Sequence, residues 1–246
     1  MRTFSWLLVL ILGFALVGCH RNLFTGMYSA TAVAEIRFGG LMSATNTSYE
    51  ERAAKEIITN ATAEILSIES LDEIVHKLKL NRIWAQRFNS SAHDLSDQEA
   101  ISHLRSVVKI DFPDGTLFVG TTSYGQLDLH PLIFKITAHS EVPQQAADIA
   151  NGVADNYKAM RDKEEADRIK RGMDSLREQI SEQQKVLEDA RATAQKQPRD
   201  ANSKLQLEQQ QSLLDAMNIR LKQMIADNAL WESPVRIISR AEPPPE

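Results

Sequence analysis

The spacing of apolar positions in the first third of the chain changes from two residues to four. Residues 27–38 alternate small or apolar with mostly polar positions, which predicts a strand with one buried face. The positions on that face are Tyr28, Ala30, Ala32, Ala34 and Ile36. Residues 39–49 are rich in Gly, Ser, Thr and Asn and predict a loop. Residues 50–67 place apolar side chains four apart and predict a helix.

Two serines that are followed by glutamate three residues later predict helix starts. Ser70 with Glu73 predicts a second helix that reaches about residue 80. Ser96 with Glu99 repeats the pattern and predicts a short third helix, after a polar break at residues 88–95.

The alternation of two returns in the middle of the chain. Residues 106–112 and 116–123 are separated by a Pro-Asp-Gly turn, which predicts a β-hairpin. Residues 131–140 predict a further strand whose face with Leu132, Phe134 and Ile136 is apolar. One apolar face is typical of a sheet that is covered on one side.

A long helical pattern follows from Pro143, which suits the first turn of a helix. Its apolar positions repeat at steps of three and four, and Pro198 interrupts them before a second such run, so we predict an antiparallel helical hairpin. The predicted coiled-coil seam consists of Ile169, Met173, Leu176, Ile180, Leu187, Leu214, Met217 and Leu221. Gln183 and Gln210 are polar seam positions, which either tune the register or are tolerated near solvent.

These elements predict an α+β fold: a membrane-proximal mixed sheet with packed helices, plus a long antiparallel coiled-coil helical hairpin. A last strand after the hairpin returns the chain to that sheet. The domains that we predict are a signal peptide with lipobox or a membrane anchor at 1–19, the α+β domain at 20–142 completed by a strand at 233–240, the hairpin at 143–230, and a Pro-rich tail at 241–246.

The N-terminal segment has the pattern of an export signal. Arg2 precedes an apolar run of about 15 residues, shorter than the ~20 that cross a bilayer as a straight helix. The run ends in Leu-Val-Gly before Cys19, which resembles a bacterial lipobox, so we expect cleavage and lipid attachment at Cys19. An uncleaved membrane helix and a cleaved soluble form stay open. All three readings place residues from about 20 onward outside the cytoplasm.

Composition and motifs do not predict catalysis. The formal net charge of the 246 residues is −5, which disfavours a nucleic-acid partner. None of the six histidines has the spacing of a metal site, and no phosphate-binding loop motif occurs. We therefore expect no catalytic residues, no metal and no cofactor, and a role in assembly or scaffolding.

Three stretches carry a resemblance to a known family. They are "MYSATAVAEI" with Tyr28 and Ala30, "AADIANGVADNY" with Asn151 and Tyr157, and "VRIISRAEPPPE" with Pro243. Their content and order resemble the polysaccharide co-polymerases, the chain-length determinant proteins of O-antigen, capsule and exopolysaccharide systems.

The resemblance implies a non-catalytic homo-oligomer that acts with a polysaccharide polymerase or export proteins. It also implies a place on the periplasmic side of the inner membrane, while the lipobox leaves the outer membrane open. The family has a second transmembrane helix after the prolines, and we expect this protein to lack it. The rival interpretation is a lipoprotein adaptor of an envelope efflux or secretion complex, which also carries a helical hairpin on a β-rich base.

Overall fold

The computed structural model describes residues 26–37, 47–88, 94–113, 119–121, 127–129, 131–197 and 199–245. Within these ranges the strands are β1 (Tyr28–Ile36), β2 (Val108–Asp111), β3 (Val119–Thr121), β4 (Leu127–Leu129), β5 (Leu132–Ser140) and β6 (Val235–Ser239). The helices are α1 (Thr47–Ile65), α2 (Ile68–Leu78), α3 (Leu80–Phe88), α4 (Asp97–Val107), α5 (Pro143–Lys196) and α6 (Ala201–Ala229). This architecture confirms the predicted α+β fold class.

Four strands form one sheet in the order β2-β5-β1-β6, and every pairing in it is antiparallel. The sheet that the sequence predicts as mixed is therefore antiparallel throughout. The predicted β-hairpin of residues 106–112 with 116–123 is wrong, because β2 pairs with β5 and β3 pairs with β4 in a separate two-stranded sheet. The strand β2 therefore pairs with the apolar strand β5, which is distant in sequence, although the Pro-Asp-Gly turn favours its neighbour in sequence.

The core lies between one face of the four-stranded sheet and the helices. Ala30, Ala32 and Ala34 of β1 are buried beside Phe134 and Ile136 of β5, as the alternation predicts. The small side chains of β1 let the first turns of α5 approach the sheet closely, and that part of α5 is rich in buried alanines. Helices α2 and α4 complete the same hydrophobic cluster.

Of the two helix starts predicted from serine followed by glutamate, the structure has one. At Ser96 both halves of the capping box with Glu99 are present, which confirms that start. The predicted cap at Ser70 is wrong: the cap is Ser67, whose hydroxyl accepts a hydrogen bond from the Ser70 backbone N–H at 3.2 Å. The short helix α3 is absent from the sequence interpretation. It starts directly after Lys79, whose left-handed φ of 54° ends α2.

Helix α5 has 54 residues and belongs to both parts of the molecule. Its first part packs on the sheet, and the part from about residue 163 continues away from it as the outgoing arm of the hairpin, over roughly 50 Å at 1.5 Å per residue. Helix α6 returns beside it after a cap at Asp200. None of the helices in the described ranges is long and apolar enough to cross a membrane.

Candidate functional site

The pairing register gives the four-stranded sheet two distinct ends. At one end Tyr28 pairs with Ser140, and β6 runs toward this end because Ser239 pairs with Val33. We call it the proximal end. At the other end Ile36 pairs with both Leu132 and Val235, and we call this the distal end. Residue 26 precedes β1, which starts at the proximal end, and residue 245 follows β6, which runs toward that end, so both lie on the proximal side of the sheet.

Asn151 of α5 holds the chain as it leaves β6 at the proximal end. Its Oδ1 accepts from the backbone N–H of Ala241 at 2.9 Å, and its Nδ2 donates to the Ala241 carbonyl at 3.0 Å. One amide side chain therefore satisfies both backbone groups of one buried residue. Arg240 adds a bidentate ion pair with Asp155 at 2.9 and 3.0 Å. We call the contacts of Asn151 with Ala241 and of Arg240 with Asp155 the clamp. Pro243, two residues beyond Ala241, is exposed.

The remaining residues of the resemblance lie in the core or at the start of the sheet. Tyr157 is buried, its ring meets the Phe134 ring edge-on with centroids 5.8 Å apart, and burial raises the pKa of its hydroxyl well above the usual range. Ala30 is buried beneath α5, and Tyr28 is half-buried at the first position of β1. Cys19 lies outside the described residues. The roles assigned to these positions stay predictions.

A second buried amide joins α5 to α2. The Asn156 Nδ2 donates to the carbonyl and to the hydroxyl of Ser70, at 2.8 and 3.2 Å. Ser70 thus accepts hydrogen bonds from α5 and does not cap α2. Asn156 carries no recognisable signal in the sequence, because its partner is 86 residues away.

Charged side chains close the distal end, where the arm leaves the sheet. The Glu35 carboxylate, on the sheet face opposite to α5, accepts from Arg37 and Arg236 at 2.7 Å each. Burial by itself raises the pKa of Glu35, but the two arginines outweigh it and hold that pKa below its usual range. Ser233 binds Asp162 across the gap between β6 and α5. Of these contacts, the one between Ser233 and Asp162 ties α5 to the start of β6 where the arm departs.

The seam of the hairpin is a second, smaller hydrophobic cluster. Its buried members are Leu176, Ile180, Leu187 and Leu214. Met217 and Leu221 pack against them as half-buried residues, and Ile169 and Met173 are half-buried nearer the sheet. Gln183 donates to the side chain of Gln210 and to its carbonyl, the latter at 3.3 Å. The two seam glutamines therefore form one polar layer between the helices.

Two histidines occupy contrasting environments. His76 Nδ1 lies 2.9 Å from the carbonyl of Asp72, and its Nε2 lies 3.5 Å from the Asp97 carboxylate. The Asp72 carbonyl, then the carboxylates of Asp97 and Asp72, raise the pKa of His76. Asp72, His76 and Asp97 are also a group of residues that could bind a metal ion, because their potential ligand atoms lie within 4.8 Å of one another. Because its two ring nitrogens face different carboxylates, His76 is placed as an ion-pair partner.

His103 instead lies against aromatic rings. Its ring meets Trp84 and Phe88 edge-on, with centroids 4.5 and 5.0 Å apart. Burial lowers the pKa of His103. Neither histidine stands beside a nucleophile among the contacts described.

The sheet, the clamp and the seam define the molecule as an α+β base with a projecting antiparallel helical hairpin. No protein-family profile and no curated protein matches the chain. Among solved structures, a fragment of the polysaccharide co-polymerase WzzB from Salmonella Typhimurium is 12% identical, with a TM-score of 0.32 over 89% of this chain and 97% of that one.

Two further solved structures are similar at the same level. The wild-type O-antigen chain-length regulator WzzB of Shigella flexneri is 12% identical, with a TM-score of 0.29 over 89% of this chain and 99% of that one. A full-length bacterial polysaccharide co-polymerase is 12% identical, with a TM-score of 0.28 over 99% of this chain and 84% of that one. These proteins are polysaccharide co-polymerases and chain-length regulators, the family that the sequence resembles.

Proposed function

We propose that the protein is a non-catalytic, membrane-anchored subunit of polysaccharide biosynthesis or export, and acts on the periplasmic side as an oligomeric chain-length or assembly scaffold. The observation that carries the proposal is the polarity of the molecule. Residue 26 precedes β1 at the proximal end and residue 245 follows β6, which runs toward that end, whereas the arm leaves at the distal end. An anchor that precedes residue 26 would hold the proximal end at the membrane and direct the arm away from it.

The second support is the clamp at the proximal end. Asn151 and Arg240 fix the segment after β6 to α5, so the base keeps a defined orientation relative to a membrane attachment at this end. We assign the attachment to lipid on Cys19.

Exposed apolar residues on the arm support association between copies. Leu205 and Ile219 are 53% and 56% exposed, and helical periodicity places them on the face of α6 opposite to the one that packs on α5. Leu230, directly after α6, is 81% exposed. Apolar side chains in such a row are a typical contact between neighbouring helices. Copies arranged around an axis would bury this row between adjacent arms.

The deciding experiment for the function is deletion of the gene, followed by gel analysis of surface polysaccharide. We expect a changed amount or a changed length distribution, restored by the wild-type gene. An unchanged profile would reject the polysaccharide role and leave the envelope adaptor as the alternative.

The scaffold and the anchor have tests of their own. Detergent extracts should contain the chain in assemblies larger than one subunit, so a strictly monomeric chain at all concentrations would reject the scaffold. Cys19→Ser should abolish labelling by lipid precursors and signal processing. A variant that stays processed, or a wild type that never takes up label, would reject the lipid anchor.

A further inference from the structure

The turn of the hairpin carries a charge opposite to that of the rest of the molecule. We define the tip as residues 190–206, which contain the cations Arg191, Lys196, Arg199 and Lys204 and the single carboxylate Asp200. The tip therefore has a formal charge of +3, in a chain whose total is −5. The four cationic side chains are exposed.

Asp200 caps α6 and offsets only one of the four positive charges. Its carboxylate accepts from the backbone N–H groups of Asn202 and Ser203, both at 3.1 Å, and from the Ser203 hydroxyl. The Ser203 hydroxyl and these two N–H groups lower the pKa of Asp200, so the carboxylate stays ionised and its hydrogen bonds hold the turn.

The tip cations have no anionic partner of their own. Arg191 donates to the neutral amide of Gln211 at 3.0 Å, and among the described residues no carboxylate lies within ion-pair distance of any of the four tip cations. Lower on the arm the situation differs, since Arg168 pairs with Glu165 and Arg177 with Asp174.

The rest of the arm increases the contrast. Residues 162–189 and 207–229 together carry 12 carboxylates and 8 cations, a formal charge of −4. The tip lies at the end of an arm of roughly 50 Å, several times the Debye length of about 8 Å at physiological salt. The negative charge of the base is therefore too distant to cancel the field of the tip. The acidic rest of the arm, residues 162–189 and 207–229, which we call the stem, repels an anionic chain.

The polar side chains of the tip define how a ligand is held. Residues 190–206 contain no aromatic residue, so sugar rings have no surface on which to stack. Guanidinium and ammonium groups, with the amides of Gln195, Gln197 and Gln206 beside them, are suited to carboxylates and hydroxyls.

We propose that the tip binds an acidic polysaccharide, a polymer with carboxylate-bearing sugars, through its unpaired cations. This inference rests on the proposed function, because it names the class of polymer that the scaffold handles. The polymer is held at the point of the molecule farthest from the base, by charge and hydrogen bonds and without ring stacking.

The test is direct binding to the purified full-length chain in detergent. The probes are fluorescein-labelled alginate, a polyuronate, and neutral dextran of matched size, followed by fluorescence anisotropy at 50 and 200 mM NaCl. We expect binding to alginate alone, with an affinity that falls several-fold between the two salt concentrations because screening weakens exposed charge pairs.

The variant with Lys196→Gln, Arg199→Gln and Lys204→Gln should bind alginate at least about tenfold more weakly. The matched control with Lys163→Gln, Lys170→Gln and Arg171→Gln removes three exposed cations from the stem and should keep the wild-type affinity. All six positions are exposed, so both variants should retain the circular dichroism spectrum of the wild type.

Three results would overturn the inference: no alginate binding by the wild type, equal loss in both variants, or equal binding of dextran. Binding to phosphatidylglycerol vesicles that alginate does not compete away would assign the tip to an anionic lipid surface instead. The gel analysis of the deletion strain tests the proposed function separately, since it does not depend on which residues contact the polymer.

Discussion

Asn151 holds both backbone groups of Ala241 at the proximal end of the base. Replacement by leucine keeps the branching and the number of side-chain heavy atoms but leaves the N–H and carbonyl of Ala241, a buried residue, without their partner. Lost hydrogen bonds at partly buried groups typically reduce stability by about 1–3 kcal/mol. We predict that Asn151→Leu lowers the free energy of unfolding in urea by about 2 kcal/mol.

The control for this prediction is an asparagine on the exposed part of α6. Asn228→Ala removes a side chain that forms none of the hydrogen bonds described here, and its effect should stay within about 0.5 kcal/mol. Equal stability of Asn151→Leu and Asn228→Ala would contradict the clamp.

The pKa values of His76 and His103 should move in opposite directions in the folded protein. His76 has a raised pKa, so its contribution to stability is fully present below the unfolded pKa of 6.5 and is lost as pH rises through the folded pKa. His103 has a lowered pKa because burial disfavours its charged form. Its contribution is present above pH 6.5 and is lost as pH falls toward the folded pKa.

The measurement is an NMR titration of the histidine ring signals, with His76→Gln and His103→Gln used for assignment. The two midpoints should lie on opposite sides of 6.5. Midpoints in the reverse order would show that the ion pairs at His76 and the aromatic contacts at His103 do not form in solution.

At the scale of the elements, the hairpin contains one polar layer in an otherwise apolar seam. Gln183 and Gln210 bind each other, so removing one leaves the other amide without its partner. We predict that the double change to leucine raises the free energy of unfolding by about 1–3 kcal/mol, because seam polar residues reduce stability in exchange for a defined register. Each single change should give less than half of that gain.

A double-mutant cycle in urea measures this coupling. The matched control is Gln184→Leu with Gln209→Leu, which lie outside the seam and are exposed. Additive single effects at Gln183 and Gln210, like those expected of the control pair, would refute the polar layer.

Periodicity in the sequence predicts elements that are held by local signals. The burial alternation of β1 and β5 and the start of α5 at Pro143 follow from spacing and turn chemistry alone. The partner of β2 does not, because the Pro-Asp-Gly signal suggests a neighbour in sequence while the apolar face of β5 provides a better one.

Contacts between distant parts of the chain explain what the sequence interpretation missed at the site. Asn151 stands out in the sequence only through the resemblance, because its partner Ala241 is 90 residues away. Ser70 has the spacing of a helix cap, but it accepts a hydrogen bond from Asn156, and Ser67 caps α2 instead. Glu35 is one of several polar positions in the alternation of β1, and its ion pair with Arg236 cannot be seen in the local sequence because Arg236 belongs to β6.

The whole molecule separates a base from an arm, so the length of the arm should be adjustable. Because residues 183 and 210 meet across the seam, segments 180–186 and 207–213 face each other. Deleting both removes one heptad from each helix and shortens the arm by about 10 Å without changing the phase of the seam. We predict a folded protein whose polysaccharide length distribution differs from that of the wild type.

The control deletes segment 180–186 alone, which places seam residues of α5 opposite the wrong residues of α6. It should lower the thermal unfolding midpoint far more than the matched deletion. If the matched deletion unfolds as readily as the one-sided one, the seam register described here is wrong. If it folds and leaves the polysaccharide profile unchanged, arm length has no part in the function.

The position of β6 also determines when the protein can finish folding. Ile36 pairs with Val235, so one side of β1 waits for a strand that is synthesised nearly two hundred residues later. Closing so long a loop is slow unless the intervening chain is already compact, and the hairpin provides that compaction by bringing its two ends back together. A growing chain therefore keeps the edge of β1 open until β6 has been synthesised. Completion of the sheet thus requires that the chain through β6, including the whole hairpin, is present.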